Sequence, residues 1–453
     1  MGALVLAGCD DDDCCKVDPD AGAPGDGAGD GRVEVARVPA VANSDVDLLF
    51  VIDDSTSTLD KQTNLKNNFP NFINVLNDVP GGLPNVHIGV VTPDLGTKAV
   101  NDATPAPTIG TPGTGGCSGN GKGGNLQSSS VVQGTFIANT KNSDGTRTVN
   151  YTGTLADAFS SIASVGSAGC GFEQPIEAAK RALDNNPANA GFLRPNAKLA
   201  IIVMTDEDDC SVSHATLLTQ DTSTLGPLQS FRCTRFGVTC DVNGATPDDM
   251  NQANVKGQCH SNESSTYLMP MGPYATFFKG LKQRDDDVLF AALIGDPTPV
   301  EVEMRTPPAS STPIPALAHS CEYASANGLD VADPGVRIAE LANKFPRHSI
   351  GTVCMQDLSS PLTNIAVQVR SLTGNPCLTQ DIALPADCIA RDVVGSTSTT
   401  LPACNNGASS TNKPCFELIT DAASCSSDSH LKLQVQRSTT PSPDTVTVLS
   451  CKL

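Results

Sequence analysis

The run Phe50-Val-Ile-Asp53-Asp54-Ser55-Thr56-Ser57 puts a carboxylate and two hydroxyls on alternate residues, directly after an apolar stretch. On one tight loop the oxygens of Asp53, Ser55 and Ser57 can converge on a point. A carboxylate plus hydroxyls is a hard-oxygen set, suited to Mg2+ or Mn2+. Such a set needs a second acid at a neighbouring strand end, and Ala200-Ile-Ile-Val-Met-Thr205-Asp206 supplies one. Asp and Ser also favour helix N-caps, so D-x-S-x-S alone is a weak signal. The preceding apolar strand and the second strand ending in Asp206 strengthen it. Asp208 and Asp209, which follow in the same acidic run, read as spectators and not as ligands.

These residues need a scaffold that brings strand ends together. Five apolar runs, Leu48–Asp53, Val86–Thr92, Leu199–Asp206, Val288–Asp296 and Ser349–Cys354, are continuous, as buried parallel strands are. Helical spacing recurs between them. Leu65, Phe69, Phe72, Ile73 and Leu76 form one stripe, in which Pro70 is expected to kink the helix. Further stripes fall at Leu155–Ile162, Ile176–Leu183, Tyr274–Leu281, Val336–Phe345 and Leu358–Val369. Strands alternating with helices predict an α/β domain with an open, mostly parallel, Rossmann-like sheet over about residues 44–375. In such sheets ligands bind beyond the carboxyl ends of the strands. Residues 94–150 and 210–265 read as loop insertions, and residues 376–453 as a small disulfide-rich antiparallel β unit. There, Cys415–Asp421 and Thr445–Cys451 are expected to pair beside a strand at 431–436.

The chain has 453 residues, a net charge of −20 and only 17% charged residues. That balance argues against a nucleic-acid partner, which needs a dense basic face. No apolar run reaches the ~20 residues of a spanning helix. Seventeen cysteines without a C-x-x-C point to an oxidising compartment. At the N-terminus, Leu6-Ala7-Gly8-Cys9 resembles the bacterial lipoprotein signal, in which the Cys is lipidated. Residues 1–9 then read as a signal fragment and residues 10–43 as an acidic Gly/Pro-rich tether. With Cys9 set aside, 16 cysteines remain, an even number that can all pair.

Together, the D-x-S-x-S loop after the first strand and Thr205-Asp206 after a later one resemble the von Willebrand factor type A (VWA) domain family. The resemblance spans about residues 44–375. It implies a metal-ion-dependent adhesion site in which Asp53, Ser55, Ser57 and Asp206 hold Mg2+, or Mn2+ or Ca2+, with one position open to an acidic group of a protein ligand. The family's middle loop offers a Thr. Here that loop is Val165-Gly-Ser-Ala-Gly-Cys-Gly-Phe-Glu173, which puts Glu173 at the Thr position, with Ser167 as a second candidate. The Cys- and Gly-rich loop and the N-terminal Cys9 motif look like lipid-anchored or secreted bacterial members.

Other chemistries fit less well. Asp53-Asp54-Ser55-Thr56 resembles the strand end of haloacid-dehalogenase-type phosphatases, but Ser55 stands where their second Asp would be. Gly116-Cys-Ser-Gly-Asn-Gly121-Lys122-Gly123 nearly matches a phosphate-binding loop, but lacks the Mg2+-binding hydroxyl and a preceding strand. No histidine pair has zinc-ligand spacing, and there is no G-x-S-x-G. The expected function is binding and not catalysis: a lipid-anchored envelope or cell-surface protein that holds a protein ligand through a divalent cation. The alternative is a metal-free structural or assembly module of the envelope, and a metal-dependent hydrolase stands behind both.

Overall fold

A computed structural model describes residues 31–453 apart from 42, 78–81, 308–310, 326, 375, 379, 381, 405–412, 423–424, 426–428, 443 and 453. Cys9, the expected signal fragment and most of the expected tether lie outside the described residues. Arg32–Leu453 forms one compact unit.

A seven-stranded sheet organises it. Its strands are β1 (Asp45–Ile52), β2 (Asn85–Val91), β3 (Ile137–Lys141), β4 (Arg147–Val149), β5 (Lys198–Met204), β6 (Val288–Ile294) and β7 (Arg347–Thr352), in the order β7-β6-β5-β1-β2-β3-β4. The five strands from β7 to β2 are parallel, and β3 and β4 add an antiparallel edge. The sheet is therefore mixed, and the expected parallel arrangement is present in the five contiguous strands from the edge strand β7 to β2. All five overlap the apolar runs of the sequence. For β1, β2, β5 and β6 the continuity follows from burial on both faces, whereas β7, at the edge, is mostly half-buried or exposed and overlaps its run only at 349–352.

Six helices cover those faces: α1 (Leu59–Asn77), α2 (Leu155–Ile162), α3 (Pro175–Leu183), α4 (Met271–Gly280), α5 (Val336–Asn343) and α6 (Ser359–Leu372). Alternate residues of β1 face opposite layers. Leu48, Phe50 and Ile52 join a core with α1, α2 and α6. Leu49 and Val51 join the other core, with α3, α4 and α5. Phe50 packs edge-on against Phe69, Phe72 and Phe159, at centroid distances of 6.0, 6.0 and 4.9 Å. α1 runs through Pro70 as one element.

Both expected loop insertions carry regular structure. Residues 94–150 contribute β3 and β4. Residues 210–265 hold short helices and the strands Val238–Val242 and Asn254–Ser261, which join Val300–Arg305 and Ile314–Leu317 in a four-stranded sheet. Apolar side chains and disulfides give these low-hydropathy stretches a core of their own.

The C-terminal region differs from expectation in two places. Cys415–Thr420 does pair with Leu431–Gln436. Val446–Cys451 lies elsewhere, between Cys388–Val394 and Val33–Pro39. Residues 33–39, expected within the tether, are therefore a strand. The short apolar alternation of Val33 and Val35 is hidden in sequence by its acidic and Gly-rich neighbours.

Fourteen described cysteines form seven disulfides: Cys117–Cys170, Cys210–Cys233, Cys240–Cys259, Cys321–Cys354, Cys377–Cys425, Cys388–Cys451 and Cys404–Cys415. This density marks an oxidising compartment.

Candidate functional site

Parallel pairing of β1 with β5 sets Ile52 opposite Met204, so the two loops that follow emerge side by side. The Asp53 amide donates to the Met204 carbonyl at 3.0 Å, which continues the ladder one step past the strands. Asp53 is fully buried. Its Oδ1 accepts the Ser55 amide at 2.7 Å and its Oδ2 accepts the Thr205 hydroxyl at 2.6 Å. Its carbonyl accepts the Thr58 hydroxyl at 2.9 Å and the Gln62 amide at 2.8 Å. The first turn of α1 thus locks the loop. The Ser55 and Ser57 hydroxyls lie 3.2 Å apart, with Ser55 buried and Ser57 exposed.

Asp206 sits beside them, 3% exposed. Its Oδ2 is 3.0 Å from the ammonium of Lys61 in the first turn of α1. Its Oδ1 is buried and has no hydrogen-bond partner among the described residues. Lys61 also contacts Asp330 Oδ1 and lies 3.4 Å from the Ser57 carbonyl. Sequence reading missed both Lys61 and Asp330. Lys61 stands eight residues past Asp53 with the look of a solvated helix lysine, and nothing in the chain's order connects Asp330 to it.

The middle loop is drawn over the first. The Gly169 amide donates to the Asp54 carbonyl at 2.8 Å, and Gln62 donates to the Gly166 carbonyl at 2.6 Å. A Cβ on Gly169 would fall 2.5 Å from Asp54 Oδ1 and 2.8 Å from its carbonyl oxygen. Cys117–Cys170 ties this loop to the 94–150 insertion. Lys122, from the near-match to a phosphate loop, spans the same seam. Its ammonium is 2.8 Å from Asp54 Oδ2 and donates to the Val165 carbonyl at 3.1 Å. Its role is to neutralise a buried acid. Ser167 is half-buried.

Glu173 is 2% exposed, and its carbonyl accepts the Cys210 amide at 2.8 Å. Burial pushes its carboxyl well above the usual range, and the charges of Glu207, Asp53 and Asp206 push the same way. Burial likewise raises Asp53 to about 7, aided by Asp206 and opposed by Thr205 and Ser55. Asp206 is raised by burial against the pull of Lys61. Sequence reading placed Asp53, Ser55, Ser57 and Asp206 together, and they adjoin. Glu173 shares their field.

Asp208 and Asp209, expected as spectators of a solvated loop, are buried. Asp208 caps α5, accepting the amides of Arg337 and Ile338 at 2.9 and 3.2 Å. Asp209 caps α3 through the Ile176 amide at 3.1 Å and faces the buried Arg337 guanidinium at 3.3 Å. The acidic run after β5 therefore anchors two helices of the same layer, α3 and α5.

Carboxylates and a hydroxyl pair lie on adjoining loops, and one buried Asp206 oxygen has no hydrogen-bond partner among the described residues. Asp53 and Glu173 have no ion-pair partner among the described residues. The chemistry fits a hard cation. Among the described residues no three His, Cys, Asp or Glu side chains converge as a metal shell, so a cation here would have to draw on hydroxyls as well.

No protein-family model matches the chain, and no curated protein matches it. Solved structures similar to it include the pilus adhesin SpaC from Lactobacillus rhamnosus GG, at 10% identity and TM-score 0.31, covering 93% of this chain and 40% of the adhesin. A von Willebrand factor type A protein from Catenulispora acidiphila has 11% identity and TM-score 0.29, covering 92% of this chain and 61% of its own. BatB from Bacteroides thetaiotaomicron has 11% identity and TM-score 0.27, covering 72% of this chain and 98% of its own.

Proposed function

We propose that this chain is a binding protein of an extracellular or cell-surface setting, and that the rim formed by the loops after β1 and β5 receives an acidic group of a protein partner. The observation that carries this reading is the divided state of Asp206: one oxygen on Lys61, the other buried and unpartnered beside the Ser55–Ser57 hydroxyl pair. Ser55, Ser57 and Asp206 would hold Mg2+, Mn2+ or Ca2+, with Asp53 and Glu173 adding charge, and the ion would supply an open position for a carboxylate. Thr205 and the Ser55 amide fix the Asp53 carboxylate. The disulfide-held insertions surround the rim, where loops on a rigid scaffold set specificity. A net charge of −20 disfavours a strongly acidic partner as a whole, so the contact is to a local acidic group. No helix among the described residues is long and apolar enough to cross a membrane. Attachment through a lipid on Cys9 belongs to the same proposal, and catalysis does not.

The test is calorimetric titration of Mg2+ and Mn2+ into the oxidised full chain, beside Asp53→Ala. One saturable site lost in the variant supports the reading. Absence of heat in the wild type overturns it in favour of the second reading, a metal-free envelope module. That second reading is favoured by one observation, the Lys61 ammonium already resting on Asp206.

A further inference from the structure

The Lys61 ammonium lies against Asp206 of the site, and its side chain is fully buried. A buried ammonium persists only when paired and hydrogen-bonded. Here its partners are Asp206 Oδ2 at 3.0 Å, Asp330 Oδ1, and the Ser57 carbonyl at 3.4 Å. Two of the three belong to the constellation read above as a cation site. Asp330 comes from a hairpin, Cys321–Ser325 with Gly328–Ala332.

That hairpin is anchored differently at its two ends. At its base, Cys321 is bonded to Cys354, Ala332 is buried in the core, and the Asp333 amide donates to the Asp206 carbonyl at 2.8 Å. Toward its tip it rests on α1 through polar side chains alone. Ser325 donates to Asp60 at 2.6 Å, Asn327 donates to Asp60 at 2.7 Å, and Asn64 donates to the Tyr323 hydroxyl at 2.9 Å. Tyr323 in turn donates to Asp330 Oδ2 at 2.9 Å, which orients that carboxylate toward Lys61.

We propose that Lys61 is a tethered cation that holds the rim in a resting state, and that the 321–332 hairpin is the latch that keeps it there through Asp330. The proposal rests on the cation reading above and deepens it with a regulatory step. A divalent ion drawing on Asp206 and an ammonium drawing on the same carboxylate repel each other at contact range. Each therefore weakens the other's hold on the site, by the same factor. The ammonium can leave only if Asp330 releases it, so the polar fastening of the hairpin to α1 sets how readily the site opens. A bound divalent ion would in turn loosen the hairpin, which places a movable element beside the partner surface.

The experiment is Mn2+ titration by calorimetry into the oxidised full chain, comparing wild type, Lys61→Met and Asp330→Asn. Melting curves in chelator check that each is folded. Lys61→Met is expected to bind Mn2+ about tenfold or more tighter than wild type, and Asp330→Asn about threefold tighter. A second readout uses wild type alone: acylation of Lys61 by an amine reagent, followed by peptide mass spectrometry. Lys61 should be protected in chelator and should label about tenfold faster in saturating Mn2+, with exposed lysines unchanged. If Lys61→Met does not fold, Asp330→Asn and the labelling carry the test. Equal Mn2+ affinity in all three proteins overturns the latch and leaves the cation reading standing. Tight binding in Lys61→Met with none in wild type supports the latch while removing the metal from the resting protein's function. No binding in any of the three overturns both.

Discussion

Lys61 Nζ lies 3.0 Å from Asp206 Oδ2, and neither side chain is more than 4% exposed. One residue belongs to the first turn of α1 and the other to the loop after β5, so the pair fastens a helix start to a strand end across the rim. The buried acids around it outnumber it. Lys122 answers Asp54 and Arg337 answers Asp209, while Asp53 and Glu173 have no ion-pair partner among the described residues. This excess of buried acids, whose charged forms are penalised until a cation compensates them, is the physical basis for expecting one.

Gly169→Ala tests the seam between the first and middle loops. The new Cβ would stand 2.5 Å from Asp54 Oδ1 and 2.8 Å from the Asp54 carbonyl oxygen, a backbone atom that cannot swing aside. The loop must retreat and lose its hydrogen bond to that carbonyl. Overpacking of this kind costs about 1–3 kcal/mol. A lower melting temperature and weaker Mn2+ binding are the expected pair of effects. An unchanged melting temperature would show that the two loops are not held together as described.

Asp208→Ala separates structural acids from site acids. Asp208 accepts two amides at the start of α5, and losing such a cap costs about 0.5–2 kcal/mol. The side chain it removes also carries a pKa raised by burial to about 6, which Arg337 opposes. The variant should melt earlier yet retain the wild-type Mn2+ titration. Loss of that titration with the fold intact would make Asp208 part of the site.

The sequence carried the central sheet because β1, β2, β5 and β6 are nearly continuous apolar runs buried on both faces, whereas the edge strand β7 is polar and was caught only by its partial overlap with the run at 349–354. It also carried Asp53, Ser55, Ser57 and Asp206, since a loop directly after a buried strand has little freedom in where it points. Lys61 and Asp330 were illegible for the opposite reason. Their contact depends on how a hairpin some 270 residues later folds back onto α1. The role of Asp208 and Asp209 was hidden because a capping carboxylate and a solvated one are identical in one dimension. The strand at 33–39 pairs with the far end of the chain, so local composition was the only available guide and it pointed to a tether.

Replacing Cys117 and Cys170 together by Ala asks whether the rim needs its staple. The bond closes a stretch of 53 residues and joins the 94–150 insertion to the middle loop. Native disulfides of this kind contribute about 2–5 kcal/mol. Lys122 reaches Asp54 from the same insertion, so loosening it leaves Asp54 buried with its cation less firmly held. Both the melting temperature and the Mn2+ affinity should fall. A fall in melting temperature alone would confine the disulfide to stability.

The raised carboxyl of Asp53 sets a pH dependence with a definite sign. Its pKa moves from 3.8 to about 7 on folding, chiefly through burial and then through the charge of Asp206. Between those values the folded state holds a proton that the unfolded state has lost. Stability from this group is therefore complete at low pH and falls as pH rises through about 7. The full excursion is on the order of 4 kcal/mol. Other acids run the opposite way: Asp287 and Glu263 have lowered values, so the raw stability curve mixes both. Asp53→Asn isolates the term, because Asn keeps the shape and does not titrate. With divalent ions chelated, the variant should gain on wild type as pH rises from about 5 to 7.5, by on the order of 3 kcal/mol in denaturant titrations. A stability difference that stays constant across that range would mean that Asp53 titrates normally. The buried acid cluster would then lack the uncompensated charge on which the cation reading depends.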